Sequence, residues 1–386
     1  MRPARLVASL LWPLVMCACT SPGGGDEGSS TDGSGIGDRR VRTPAQVITN
    51  TSDPKYAVRN FQGIPSIQRA GGRTWAAWYG DSVRGAEGPG NFVVVASSDD
   101  SGRNWAERFY LAYENTANRA FDPQLWEAPD GALWVLYTAS GSDLTFDGIF
   151  GAFIAVIDDP ASDAVIVSRR IRLADGVPGT PVRLRSGQIL LPIDYWRNPA
   201  PRDPGKAGRN IFEIDPNTLK AEHIGTIPDS PDVTFFDETS IAECADGSLF
   251  GLVRTREGLH ETRSMDAGRT WTNATKFMHF VTPDSRAQVR STRNGELVLA
   301  FNNAPFRFNL SVSISSDCAN TWGSPSLIDS RSVTSYPQIE FLEGNELAVI
   351  YDRNRSSDRE ILIGFVDKTD VANNSARPTI SVISDQ

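Results

Sequence analysis

Six short apolar runs recur along the chain at near-equal intervals, each a few residues after a glycine. Gly72 precedes residues 74–79 (TWAAWY), Gly131 precedes 132–137 (ALWVLY) and Gly187 precedes 189–193 (ILLPI). Gly247 precedes 249–253 (LFGLV), Gly295 precedes 297–301 (LVLAF) and Gly344 precedes 347–351 (LAVIY). Each run has strand length, is rich in Val, Leu, Ile and aromatics, and is bounded by turn residues, which predicts a β-strand. A second ladder keeps step with the first: Asp100, Asp159, Asp215, Asp266, Asp317 and Asp367 are separated by 59, 56, 51, 51 and 50 residues. Two ladders of six rungs predict six repeats. A period near 50 fits four antiparallel strands per repeat, arranged as the blades of a β-propeller around a central channel. A β-sandwich with incidental Asp-Gly turns would not sustain the period.

Three of the Asp rungs sit in nearly the same sentence: Ser98-Asp99-Asp100-Ser101-Gly102-Arg103-Asn104-Trp105, Ser264-Met265-Asp266-Ala267-Gly268-Arg269-Thr270-Trp271 and Ser315-Ser316-Asp317-Cys318-Ala319-Asn320-Thr321-Trp322. The reading is mechanical. Ser and Asp hold a tight turn through local backbone hydrogen bonds, Gly permits positive φ, and Trp plugs the turn onto the sheet. This block resembles the Asp-box, or BNR repeat, of the sialidase (neuraminidase) superfamily. The resemblance implies an all-β, six-bladed β-propeller over residues 44–386, with degenerate boxes at Asp159, Asp215 and Asp367.

Composition narrows the function. Net charge is −9 with five Lys against a large excess of Arg, which argues against nucleic acid and suits planar recognition of carboxylates. His223, His260 and His279 lack metal-ligand spacing, no Gly-rich phosphate loop is present, and neither metal nor organic cofactor is implied. At the N-terminus, Arg2 and Arg5 precede an apolar stretch, residues 6–15, too short to span a membrane. Met16-Cys17-Ala18-Cys19 resembles a bacterial lipobox, with small Ala18 favouring Cys19 over Cys17 as the lipidated residue. Residues 1–18 are therefore expected to be a lipoprotein signal peptide and residues 19–43 a flexible tether. The expected product is a monomer anchored by lipid at the bacterial cell envelope, periplasmic or surface. Cys244 and Cys318 are left either to pair or to remain buried thiols.

The sialidase resemblance also assigns roles at the end where inner strands begin. Asp237-Glu238-Thr239 through Arg254 matches the family's Glu and the Arg about sixteen residues on. The resemblance makes Glu238 the base partner of a nucleophilic Tyr, and Arg254 an arm of the carboxylate clamp. Arg307-Phe308-Asn309-Leu310-Ser311-Val312 resembles the segment that carries another clamp arginine, and Tyr336 in Ser335-Tyr336-Pro337 takes the nucleophile's place. In the loop 81–91, Glu87 best fits the general acid, with Asp81 as fallback. Arg286, Arg119 and Asp122 are candidate substrate contacts. The pattern departs at Phe61-Gln62-Gly63-Ile64-Pro65, where Gly63 stands in place of the first clamp arginine. Gln62 is left as a hydrogen-bonding substitute, with Arg59, Arg353 or Arg286 as candidate replacements and Asp352 as the carboxylate that would brace the missing arm. Without a third arginine, a substrate other than a standard sialoside is expected.

A tyrosine suits a sugar whose anomeric carbon bears a carboxylate, because a neutral phenol approaches without the repulsion an anionic nucleophile would meet. The expectation is a retaining exo-glycosidase that releases a terminal sialic acid or related acidic sugar from glycans. Two rivals stand beside it. One is a propeller polysaccharide lyase or uronate-linked glycosidase, which would show a His or Tyr base in the channel instead of a Tyr-Glu pair. The other is a non-catalytic glycan-binding propeller, in which Tyr336 and Glu238 do not meet.

Overall fold

A computed structural model describes residues 41–141, 150–196, 208–228 and 236–386. The leader, Cys19 and most of the tether lie outside the described residues. Each apolar run becomes the second strand of a blade: Arg73–Asp81, Leu133–Ser140, Ile189–Tyr195, Leu249–Thr255, Leu297–Asn302 and Glu346–Arg353. These strands are buried on both faces, because each blade is covered by the next. That explains continuous apolar runs where a one-faced sheet would alternate.

Six antiparallel sheets result, and blades two, four, five and six have four strands each. Blade one gains a fifth strand, Gln46–Ile48, paired outside Ala106–Ala112. In blade three the innermost strand is split into Val177–Pro178 and Val182–Arg183. Among the described residues, no helix is long and apolar enough to cross a membrane.

Five Asp rungs directly follow the third strand of their blade and Asp367 ends it, all at the end away from the inner-strand starts. In the first box, Ser98 Oγ accepts from Gly102 N at 2.8 Å, while Asp100 accepts from Asn104 N at 2.8 Å. The same bonds recur at Asp266 and Asp317. Ala319 takes the glycine place in the third box at φ 61°. The degenerate copies keep the carboxylate's job: Asp215 accepts from Asn217 N at 2.9 Å, and Asp367 caps the short helix Lys368–Ala372 through Thr369 N at 2.7 Å. The cysteine question resolves to a disulfide joining Cys244 in blade four to Cys318 in the box of blade five.

The inner strands are tied across the axis by a belt of side chains from five blades. Gln338 donates to Gln124 at 2.5 Å and accepts from Ser66 at 2.7 Å, while Thr180 donates to Gln124 at 2.7 Å and accepts from Gln288 at 3.2 Å. Blades six and one meet with no shared strand. Polar bonds close that seam, including Ile64 N to Asp352 Oδ2 at 2.7 Å and Gln62 N to the Arg355 carbonyl at 3.0 Å.

Candidate active site

Three neighbouring inner strands open with one shared device. Ladder pairing slips between Gly63 and Ser66, Phe121 and Gln124, and Ser335 and Gln338. Each slip holds a left-handed residue followed by proline: Ile64-Pro65 (φ 56°), Asp122-Pro123 (φ 47°) and Tyr336-Pro337 (φ 53°). Proline has no N–H to continue the ladder, so the strand bulges there. A left-handed non-glycine residue costs about 1–2 kcal/mol. The three side chains line one cavity of ≈190 Å³ with Glu87, Glu238, Arg254, Arg307 and Arg355. Phe121, Trp196 and Phe236 supply its apolar wall.

Tyr336 is buried and stands among four guanidinium groups. Arg254 Nη1 donates to its hydroxyl at 2.8 Å, and Arg355, Arg286 and Arg307 lie 4.4, 4.7 and 5.2 Å from its ring centre. Burial pushes the phenol's pKa up. Arg254, Arg307 and Arg355 oppose that push while Glu238 adds to it, and the net shift is upward. The group is thus a neutral phenol surrounded by positive charge.

Glu238 Oε2 accepts from the same Arg254 Nη1 at 2.9 Å, and Arg286 Nε lies 3.9 Å from Oε1. Burial alone would raise this carboxyl's pKa, but Arg254, Arg286 and Arg307 hold it below its ordinary value. The direct Tyr336–Glu238 hydrogen bond expected of a nucleophile and base is not formed, as the glycan-binding reading expects; Arg254 Nη1 joins the two groups instead. Arg254 is itself fixed by Asp284, whose Oδ1 sits 2.5 Å from Nε, and Arg307 reaches the Asp284 carbonyl at 3.3 Å. Asp284 was not anticipated; its loop carries no motif.

Asp122 faces the same cavity. Burial lifts its pKa to about 7, with Arg286 pulling down and Glu238 and Glu87 pushing up. Arg119 packs 3.9 Å over the Phe121 ring and donates to Ser140 at 2.8 Å.

Several expectations need correction around the seam. Gln62 does not enter the cavity. Its side chain accepts from Arg59 Nε at 3.0 Å and Trp78 Nε1 at 2.9 Å and donates across the seam to Ser384 of blade six at 2.9 Å. Arg59 is committed to Glu107 at 2.6 Å and Arg353 to Asp358 and Glu360, both at 2.6 Å. Arg286 enters the site but stands against Glu238. The guanidinium that arrives beside Gly63 belongs to Arg355. Asp352 braces it at 2.8 Å, so the bracing carboxylate is where it was expected and its partner is new. Asp81 shapes the loop instead of facing the cavity, accepting from Val83 N at 2.8 Å and Gly85 N at 3.0 Å. Glu87 reaches the mouth and contacts Arg355 Nη1 at 3.1 Å.

None of the three histidines lines the cavity. Among the described residues, the cluster with metal-like spacing is Cys244, Asp246 and Cys318, and its two sulfurs are bonded to each other.

A family model described as a BNR repeat-like domain matches residues 72–348. No curated protein matches the chain. Among solved structures, a Hadza microbial sialidase aligns with a TM-score of 0.64 at 17% identity, over 75% of this chain and 63% of its own. The chain therefore spans less than two thirds of that protein. The intramolecular trans-sialidase from Ruminococcus gnavus, solved with oseltamivir carboxylate, aligns at 0.63 and 13% identity, over 80% of this chain and 93% of its own. A Dyadobacter fermentans protein of unknown function aligns at 0.59 and 18% identity, over 83% and 96% respectively. At such identities the likeness is one of fold.

Proposed function

Since the chain belongs to the BNR repeat-like domain family, we propose that it is a retaining exo-glycosidase releasing terminal sialic acid or a related acidic sugar from glycans. The observation that carries this reading is a buried, neutral Tyr336 held among Arg254, Arg286, Arg307 and Arg355, beside a Glu238 kept ionised by the first three. A site with so much positive charge and a phenol at its centre suits a sugar that brings its own carboxylate.

In this mechanism the sugar carboxylate settles on the arginines, which presents the anomeric carbon to Tyr336 Oη. The oxygen attacks as Glu238, joined to it in the free protein only through Arg254 Nη1, closes onto the phenol and takes its proton, and Arg254 stabilises the charge that develops on the phenolic oxygen. The bond to the aglycone breaks as Glu87 protonates the departing oxygen. Water then attacks the tyrosyl glycoside with Glu87 taking its proton, and Tyr336 recovers a proton from Glu238. Two displacements give retention. The arginine excess, the export-type leader and Cys19 are read together as a lipid-anchored envelope enzyme acting on glycoconjugates.

The test is a panel of aryl glycosides of sialic acid, related nonulosonic acids and uronic acids, with the first-formed anomer followed by NMR. Cleavage of an acidic glycoside with retention is expected. Inversion, or turnover of neutral sugars alone, would remove Tyr336 from its proposed role.

A further inference from the structure

We propose that Arg355, admitted through the space left by Gly63, is the arm of the clamp that selects substrates by their carboxylate, and that Glu87 occupies this arm until that carboxylate arrives. The proposal rests on the glycosidase reading above and concerns the specificity of the same site.

Gly63 is there for room. Its φ lies outside the left-handed region, so a side chain would be tolerated by the backbone, yet a Cβ would stand 2.7, 2.8 and 2.9 Å from Cδ, Cγ and Nε of Arg355. The glycine and the arginine therefore belong to one arrangement across the seam between blades one and six.

Two of Arg355's donors are spent on holding it still. Nε bonds Asp352 Oδ2 at 2.8 Å and Nη2 bonds Ser335 Oγ at 3.1 Å. Asp352 is fully buried and is fixed in turn by Ile64 N at 2.7 Å and Ser335 Oγ at 2.7 Å. Ser335 directly precedes Tyr336, so the brace and the nucleophile share a strand. The remaining nitrogen, Nη1, carries Glu87 at 3.1 Å. Asp352 is thus a permanent partner, whereas Glu87 has a side chain 43% exposed on a loop containing Gly85, Gly88 and Gly90. A carboxylate that can leave, on the terminal nitrogen of a cation fixed from behind, is in the position of a stand-in for substrate.

The consequence is a coupling. A sugar carboxylate that takes Nη1 displaces Glu87, which is then available to carry the proton the leaving group needs. A neutral sugar makes no such exchange and leaves Glu87 on the guanidinium. Selection thereby acts on acid catalysis as well as on binding.

The experiment compares the aryl glycoside that the wild type cleaves best with its methyl ester, which keeps the shape and loses the charge. Arg355→Ala should raise KM for the acid about 100-fold while changing the ester little, so that the preference between them collapses. Because that variant leaves Asp352 buried without its cation, Arg355→Ala combined with Asp352→Asn repeats the test in a neutral background. Gly63→Arg combined with Arg355→Ala returns a guanidinium from the other side of the seam and should recover most of the preference. Glu87→Gln, which removes the internal competitor, should tighten inhibition by the released sugar acid about 3- to 10-fold even as kcat falls. An acid-to-ester ratio unchanged in both Arg355 variants, or product inhibition no tighter in Glu87→Gln, overturns the proposal and leaves the glycosidase reading intact. A wild type that cleaves none of the acidic glycosides overturns both.

Discussion

On the Asp-box rim, Asp266 accepts from Thr270 Oγ1 at 2.6 Å, Thr270 N at 2.8 Å and Ser264 Oγ at 2.9 Å, all within four residues of itself. At the mouth, Glu238 depends on Arg254 sixteen residues on and Arg286 from the loop entering the next blade, while Glu87 meets Arg355 across 268 residues of chain. Both ends use carboxylates and left-handed backbone: Asp122 itself at the mouth, and Ser101, Ala267 and Cys318 directly after the Asp at the rim. At the rim, local donors hold exposed carboxylates below their usual pKa: the Thr270 hydroxyl and N–H for Asp266, the Thr321 N–H and hydroxyl for Asp317. At the mouth burial is the largest influence, and the arrangement of cations decides the sign. Glu238 ends below its ordinary value, and Asp122 is raised to about 7. A carboxylate that finishes a turn carries its partners with it; one that lines the cavity gets them from the assembled ring.

The largest expected effect is at the mouth. Tyr336→Phe should lower kcat by about 10³-fold or more with an unchanged melting temperature, since only a hydroxyl is lost. A similar loss of stability in that variant would mean that the tyrosine serves the fold. Reduction of Cys244–Cys318 should act on the rim instead, costing about 2–4 kcal/mol by denaturant titration while leaving activity below the transition unaltered.

The two ends should also answer pH with opposite signs. Asp122 has a raised pKa when folded, so its contribution to stability is complete below its unfolded value and is lost as pH rises through about 7. Asp266 and Asp317 have lowered values, so theirs is present above the unfolded value and is lost as pH falls through the folded one. Asp122→Asn should accordingly remove a few degrees of the fall in melting temperature between pH 5 and pH 8. Asp266→Asn should blunt only the loss below about pH 4. The smallest effect is Asp266→Ala at neutral pH, about 1 kcal/mol with no change in kcat, measured by the same denaturant titration.

This contrast also explains what the sequence disclosed. The boxes were legible because the whole device fits in eight residues, and the apolar runs because each second strand is covered on both faces. Motifs place Glu238, Arg254, Arg307 and Tyr336 together, Arg286 is named only as a candidate contact, and the structure brings all five together. Gln62 was misplaced because adjacent strand residues face opposite ways, so a vacancy at Gly63 says nothing for its neighbour. Arg355 was missed because no local pattern marks an arginine that reaches across the closing seam. The available signal was indirect: a bracing carboxylate at Asp352, a missing partner at Gly63, and an arginine three residues beyond Asp352. The belt of Ser66, Gln124, Thr180, Gln288 and Gln338 left no signal, since its members meet only when the ring closes.

The central claim is that Tyr336 becomes bonded to the sugar. A fluorinated, activated glycoside of the best-cleaved acidic sugar should form this bond and stall before hydrolysis. Peptide mass spectrometry of the trapped protein should then find the glycosyl mass on Tyr336, and none in Tyr336→Phe. A label on Glu238 or Glu87, or complete turnover of the sugar with no trapped species, would contradict the account.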